Sequence, residues 1–513
     1  MGDRRSCAAR QAAIRLPSPG RSLRVASRAA FGASLGAGLL TSSPRVARAG
    51  GFYVPEQGAR SVGMADAVAA APGEVSGIFH NPASLSTVGT LAAAEVGGLL
   101  VLPSFKFFRR PATDPFAPSP AQATIDFPIS KNTNNLGAVP FLGLASNLGV
   151  KNLGVGVGVY VPFGAELSFP VDGAQREVVT SISLQSIHVT PTIAYRFFDR
   201  FSVGAGVSYI NSSFALEQRN ATAFILGNPN DFPNPPASSE GPTRIQATDS
   251  LRFSASFGAL YTDPDDRFSM GASVMAPTKL DLRGTVDVSN PNITAMNDSQ
   301  GNPLPAGHRT DAAALTIPLP AIGRLGVLVK PARSVAVEAD VNYQAWSSTQ
   351  TETIFFQHHY PLFPQPGAQM NDIVLERNYH DTVSVRAGAE VTPLASPSTP
   401  LKLRAGVLFD QSPIDDRHFD LLTPDSDKWG ISGGAGYALK FGDKIWLGLD
   451  LSYMHVFYAD RNIGPETIGT DPSQKQDAPG SAGTILNKPA SSFYYGLTRA
   501  SVDLLAMSVS LKI

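Results

Sequence analysis

Three arginines carry the most suggestive chemistry in this chain. Arg324, Arg386 and Arg404 each fall on the polar face of a run in which apolar and polar residues alternate. A guanidinium pairs with a carboxylate through two parallel hydrogen bonds, so arginines gathered on one interior face suit recognition of an anionic head group. Catalysis finds no comparable support. Cys7 is the only cysteine, which leaves neither a disulfide framework nor a thiolate metal site. The eight histidines show no ligand spacing, so no metal and no cofactor is expected. His188 falls on an interior face with serines nearby, but no nucleophile motif accompanies it, and no catalytic residue is assigned.

The elements that position these arginines are strands. In Val335–Trp346, Val335, Val337, Ala339, Val341, Tyr343 and Ala345 lie on one face, while Glu338, Asp340, Asn342 and Gln344 lie on the other. Arg386 sits in a similar run from Val383 to Val391, and Arg404 in another from Leu401 to Phe409. About fourteen such runs follow residue 88, and the connections between them sort by length. Long ones (104–135, 163–180, 218–246, 284–309, 349–379, 412–426 and 460–500) alternate with short ones at Gly149-Val150-Lys151, Asp199, Asp263–Asp266, Pro331-Ala332, Thr392–Ser398 and Gly442-Asp443. Loop lengths sorted by parity are a property of membrane barrels with short turns at one rim and long loops at the other. A soluble sandwich has no reason to sort them. The fold expected is all-β, a transmembrane antiparallel barrel whose two ends both lie on the short-turn, periplasmic side. Trp429, Trp446, Tyr195, Tyr209, Tyr437 and Phe457 fall toward strand ends, where interfacial aromatics belong. A hairpin about Pro331-Ala332 would bring Arg324 near Asp340. One about Ala395 would set Arg404 opposite Arg386, with Glu390 further along.

No run of eighteen apolar residues occurs and mean hydropathy is -0.01, which excludes a helical membrane protein. Residues 1–49 read as an export signal, with basic residues from Arg4 to Arg28, an apolar core Ala29–Leu40, and Ala47-Arg48-Ala49 as a small-x-small cleavage site. Their removal takes away nine arginines and one aspartate, leaving 32 basic and 41 acidic residues and a net charge of about -9, which offers nucleic acid nothing. Residues 50–88 have neither strand alternation nor a helical stripe and are rich in Gly and Ala. They read as a plug ahead of a barrel spanning 89–513. Phe52 and Tyr53 would be the first aromatics after cleavage, suited to touch an apolar ligand or to anchor the plug. Asn81-Pro82-Ala83 forms a turn near its end. Pro162 cannot donate to a sheet ladder and marks a bulge or a strand end; broken pairing is what an opening in the side of a barrel needs, and Phe163 and Gly164 would extend it. The clusters Ala223–Leu226 and Ile354–Phe363 are more apolar than solvated loops and suit either a hydrophobic landing groove or packing of loops on one another.

Several stretches resemble the FadL/TodX family of outer-membrane transporters. They are GFYVPEQGARSVGMADAVAAAPGEVSGIFHNPASL, YVPFG at 160–164, LQSIHVTPTIAYRF, PAIGRLGVLVKP, DVNYQAWSS, LRAGVLFDQSPIDD and LDLSYMHVFYADRNI, in order over nearly the whole mature chain. The resemblance implies a fourteen-stranded barrel, its lumen plugged by an N-terminal hatch, in the outer membrane of a Gram-negative-type bacterium. It implies passive passage of a long-chain fatty acid or other hydrophobic molecule. The path runs from a loop groove to a lumenal site near the hatch, then through a lateral opening at the third strand. The expected partners are that ligand, outer-membrane lipid and the barrel-assembly machinery, with the protein a monomer. The chain departs from the family at its end, which is Ile513 rather than an aromatic. A general diffusion porin or a hydrocarbon-specific channel is the competing expectation.

Overall fold

The computed structural model describes residues 52–113, 124–134, 136–221, 240–364, 369–394, 400–442, 444–464 and 495–513. The expected export signal, Gly50 and the apolar cluster Ala223–Leu226 lie outside the described residues. Among the described residues, fourteen antiparallel strands form one closed wall. They are β1 (Ala93–Arg109), β2 (Gly137–Ser146), β3 (Leu153–Ser168), β4 (Ser181–Phe197), β5 (Phe201–Ala221) and β6 (Glu240–Thr262), then β7 (Phe268–Met275 and Thr278–Ser289) and β8 (His308–Leu319 and Ile322–Ala332). β9 (Val335–Gln344 and Thr351–Phe356), β10 (Ile373–Glu376 and Thr382–Leu394), β11 (Leu401–Asp410), β12 (Lys428–Phe441), β13 (Ile445–Tyr458) and β14 (Gly496–Lys512) complete it. β1 closes the ring, pairing with β14 from Ala93↔Lys512 to Arg109↔Gly496 and with β2 on its other edge. The interruptions in β7 and β8 fall at Pro277 and Pro320, where a ladder donor is missing.

The wall is apolar outside and polar inside. On β9, Val341 and Tyr343 are 44% and 47% exposed, whereas Asn342, between them, is 1% exposed. β10 repeats this, with Val383 and Val385 exposed and Ser384 and Arg386 buried. In water this arrangement would be inside out; in a bilayer it places aliphatic side chains against lipid and charges in a filled interior. Of the expected interfacial aromatics, Trp429, Tyr195, Tyr209, Tyr437 and Phe457 are exposed on the outer face. Trp446 is not. It alternates with outward Ile445 and lines an inner cleft with Arg404 and Asp450, because the parity of β13 turns it inward.

Residues 52–88 fold as a compact segment with two short helices, α1 (Ala59–Gly63) and α2 (Gly77–His80), and a 3-10 turn, Pro82–Thr87. Small residues let its backbone lie directly on the inner wall. A Cβ on Gly204 of β5 would stand 2.5 Å from the Pro82 carbonyl carbon, and one on Gly406 of β11 2.5 Å from that of Met64.

Candidate functional site at the third strand

The wall is not continuously paired. β2 and β3 pair from Ser146↔Val155 to Leu142↔Val159 and no further. β3 itself does not end at Pro162 but runs on to Ser168, shifting register against β4 between Tyr160 and Phe163. The proline thus marks a bulge within the strand. Polar groups tie the strand back to the preceding loop only higher up, where Thr133 N donates to Ser168 O at 2.7 Å and Asn134 Nδ2 to Glu166 O at 3.0 Å.

The N-terminal segment satisfies the edge left between these ties. Val54 N donates to Pro162 O and Gly164 N to Phe52 O, both at 2.8 Å, so that Tyr53 pairs with Phe163 as an extra strand would. Gln57 Nε2 adds a bond to Val161 O at 3.1 Å. The Tyr53 and Phe163 rings lie 5.4 Å apart, and Phe52 stands edge-on to Trp346 at 5.0 Å. Phe52 and Ala165 border a small cavity of about 30 Å³, walled by aliphatic and aromatic side chains from β4, β5, β8 and β9. Its polar end holds Arg377, which donates to Glu352 at 2.8 Å and to Thr423 at 3.0 Å and pairs with Asp420. Of the second apolar cluster, expected in a loop, Ile354, Phe355 and Phe356 instead end β9. Ile354 and Phe356, with Leu362 and Phe363, are buried around this region, so the cluster packs into the interior, and Phe355 alone of the five is exposed.

The three arginines differ sharply in their partners. Arg386 is fully buried between Asp66 of the segment at 3.2 Å and Asp410 at 3.1 Å. Arg404 faces Glu390, its cross-strand partner, at 2.8 Å and Asp450 at 2.5 Å. The expected opposition of Arg404 and Arg386 is therefore corrected. The β10–β11 ladder shifts between Val391 and Leu394, which sets Arg386 against Leu408. Arg324 lies opposite Asn342 rather than beside Asp340. Asp340 instead accepts from Val68 N and Ala69 N of the segment, at 2.8 and 2.9 Å. Arg324 is buried without a carboxylate partner among the described residues. Its Nη2 donates to the Tyr53 hydroxyl at 2.5 Å, and its guanidinium lies 4.6 Å from the centre of the Phe79 ring. The same burial pushes the Tyr53 hydroxyl up to about 12, so it stays protonated.

Asn81 is an anchor. Its Nδ2 donates to Ala69 O and to Ala259 O of β6, while Oδ1 accepts from Ala83 N, and Pro82 rests against Gly204 and Gly258. The sequence reading missed most of what holds the segment. Ser61 and His80 meet Asp66, Arg60 donates to Glu390 at 3.3 Å, and Ala70 N donates to Glu338 at 2.6 Å. The available signal was the charge on Glu338, Asp340 and Glu390, interior groups that each require a partner. Glu56 is the exception. Its Oε2 has no hydrogen-bond partner, and burial, with Asp66 adding, pushes its carboxyl up to about 8.

Comparison with known proteins accords with this geometry. A family model described as outer membrane protein transport protein (OMPP1/FadL/TodX) matches residues 40–486. A long-chain fatty acid transport protein of Escherichia coli O6:H1 is 22% identical over 312 residues, 59% of this chain and 66% of that protein. The crystal structure of a Pseudomonas aeruginosa FadL homologue superposes with a TM-score of 0.69 at 18% identity, covering 90% of this chain and 99% of the homologue. That of the Pseudomonas putida toluene transporter TodX does so with a TM-score of 0.58 at 14% identity, covering 90% and 99%.

Proposed function

The chain belongs to the OMPP1/FadL/TodX family of outer membrane transport proteins, and from that premise we propose that it carries long-chain fatty acids or other hydrophobic molecules passively across the outer membrane. The observation that carries this reading is the interrupted β2–β3 ladder, whose free edge is occupied by Phe52–Val54 rather than by another strand. Two main-chain bonds are a weak closure compared with a full ladder, so this is where the wall opens most cheaply. A ligand parts the apolar side chains around the small cavity beside Phe52, displaces the N-terminal hatch from β3, and leaves sideways past Pro162, Phe163 and Gly164 into the bilayer. Phe52 and Tyr53 form the moving lip, and Asn81-Pro82-Ala83 holds the rest of the hatch in place.

For an anionic ligand, Arg324 is the head-group contact of choice. Arg386 and Arg404 each already have two carboxylates, whereas Arg324 has a phenol hydroxyl and a ring, which a carboxylate would outcompete. The relatives point to two ligand classes, fatty acids and toluene. Uptake of labelled oleate and of toluene into a host lacking its own transporters decides between them. No gain with either compound would defeat the reading, and large steady currents through the purified protein would mark a porin instead.

A further inference from the structure

Outward residues on β1 run Leu100, Leu102, Ser104, Lys106 and Phe108. Leu100 and Leu102 are exposed, whereas the alternating Val101, Phe105 and Phe107 are buried. Lys106 is the cross-strand partner of Arg499 on β14 and, on its other side, of Lys131 in the two-residue strand Ser130–Lys131. Three exposed cations therefore stand abreast on one face of adjacent strands. Directly opposed side chains have Cβ atoms about 4.5–5.5 Å apart, and like charges there repel.

Some surface cations of the barrel meet an acid, as Lys151 meets Asp199 at 3.0 Å, Arg244 meets Glu217 at 2.8 Å and Lys330 meets Asp266 at 2.6 Å, while exposed Arg267, Lys279 and Arg283 have no ion pair among the described residues. What distinguishes Lys106 and Lys131 is that they oppose each other across a strand pair. In this row Arg499 alone has an acid partner, Asp460 at 2.8 Å, and its guanidinium lies 5.7 Å from the centre of the Phe108 ring. Among the described residues, the side chains of Lys106 and Lys131 have no ion pair and no hydrogen bond. The next outward acid along β14, Asp503, is engaged by His455 Nδ1 at 2.6 Å and by the Tyr453 hydroxyl at 2.5 Å.

Position supplies the second half of the site. On β1 the row begins four residues beyond Leu102, about 13 Å along the strand at ~3.3 Å per residue, toward the long-loop end. On β14 it lies beyond Leu505, the outward residue of the same apolar surface. A cationic row directly above a lipid-covered face is at head-group depth. We propose that Lys131, Lys106 and Arg499 bind a phosphate group of an outer-leaflet lipid, whose chains lie against Leu100, Leu102 and Leu505. Three cations less Asp460 leave two positive charges, which match the roughly -1.5 to -2 of a phosphate monoester. The arginine supplies a planar fork of donors and the lysines mobile point charges.

The test uses the full protein in neutral detergent, as wild type and as K106Q/K131Q, with unchanged heat-modifiable migration showing that both barrels fold. Each is given a bis-phosphorylated outer-leaflet glycolipid, the same lipid dephosphorylated, and inorganic phosphate, with binding read by native mass spectrometry. Wild type should hold the phosphorylated lipid at least about ten-fold more tightly than the variant does. The dephosphorylated lipid should bind both proteins equally and weakly. Equal retention of the phosphorylated lipid by the two proteins would overturn the site, as would equal affinity of wild type for the dephosphorylated form. Displacement of the lipid by an equal concentration of inorganic phosphate would also overturn it, by marking a free-anion site.

Discussion

A disulfide between positions 53 and 163 tests whether the hatch must leave β3 for transport. The bonds Val54 N to Pro162 O and Gly164 N to Phe52 O flank the Tyr53–Phe163 pair, which makes it a non-hydrogen-bonded pair. Such pairs have Cα atoms about 4.5 Å apart, within the span a disulfide bridges. The native sequence has one cysteine, Cys7 in the expected export signal, so Y53C/F163C forms a single defined bond. In the native protein, release of Phe52–Gln57 breaks two main-chain bonds of 2.8 Å, the Gln57 bond to Val161 O at 3.1 Å and the Arg324 bond to Tyr53 at 2.5 Å. At about 0.5–1.5 kcal/mol net for each, detachment costs roughly 2–6 kcal/mol. The free state is then populated in about one molecule in thirty to one in thirty thousand, rare but accessible. The disulfide removes that population. Oleate uptake by cells carrying the oxidised variant should fall to the host background and return on reduction. The reduced variant is its own control for the loss of two aromatic rings. Equal uptake in both states, with the bond verified by mass, would refute a path that needs the hatch to move at β3.

Arg324→Gln should weaken oleate uptake about 10- to 100-fold through loss of a charge-assisted contact and leave toluene uptake unchanged, as read from concentration dependence. An equal loss for both would reassign Arg324 to positioning Tyr53. Asn81→Ala removes three hydrogen bonds, one of them a cap on the 3-10 turn, and should loosen the hatch by about 2–4 kcal/mol. Limited proteolysis should then cut within residues 52–88 while heat-modifiable migration of the barrel stays the same; an uncut hatch would count against the anchoring role. Glu56 has its carboxyl raised from 4.5 to about 8 in the folded state, so the stability this group contributes is full below 4.5 and is lost as pH rises through about 8. Hydrogen exchange over residues 52–58, corrected for intrinsic rates, should therefore be faster at pH 8.5 than at pH 6, and Glu56→Gln should abolish the difference.

Strand existence was legible because each strand of this wall has one lipid face and one interior face. Val335–Gln344 reads as a strand from its alternation alone, and the sorted loop lengths gave the barrel. Strand ends were less legible. β3 continues through Pro162 because the hatch takes over its free edge, a partner 104 residues away from Val161 that no local pattern reveals. Pairings such as Arg404 with Glu390 depend on a register shift near Leu394, and a count of turn residues does not report a bulge. Phe52, Tyr53 and Phe163, picked out by residue type and by the family resemblance, do come together. Asp66, Trp346 and Glu352 sit in short, unpatterned stretches, and only the folded interior shows what they meet.

The unpaired stretch of β3 also bears on biogenesis. A strand edge whose amides and carbonyls lack partners is a template for any other extended chain. Here that template lies in the middle of a wall, and its cover is Phe52–Val54 of the segment packed inside. A nascent barrel whose Phe52–Val54 stretch has strayed would offer the edge to a neighbouring copy or to a periplasmic chain. On the proposed path the three residues Phe52–Val54 would thus serve as a safeguard as well as a gate, keeping the seam from being claimed by the wrong strand until there is a ligand to let through.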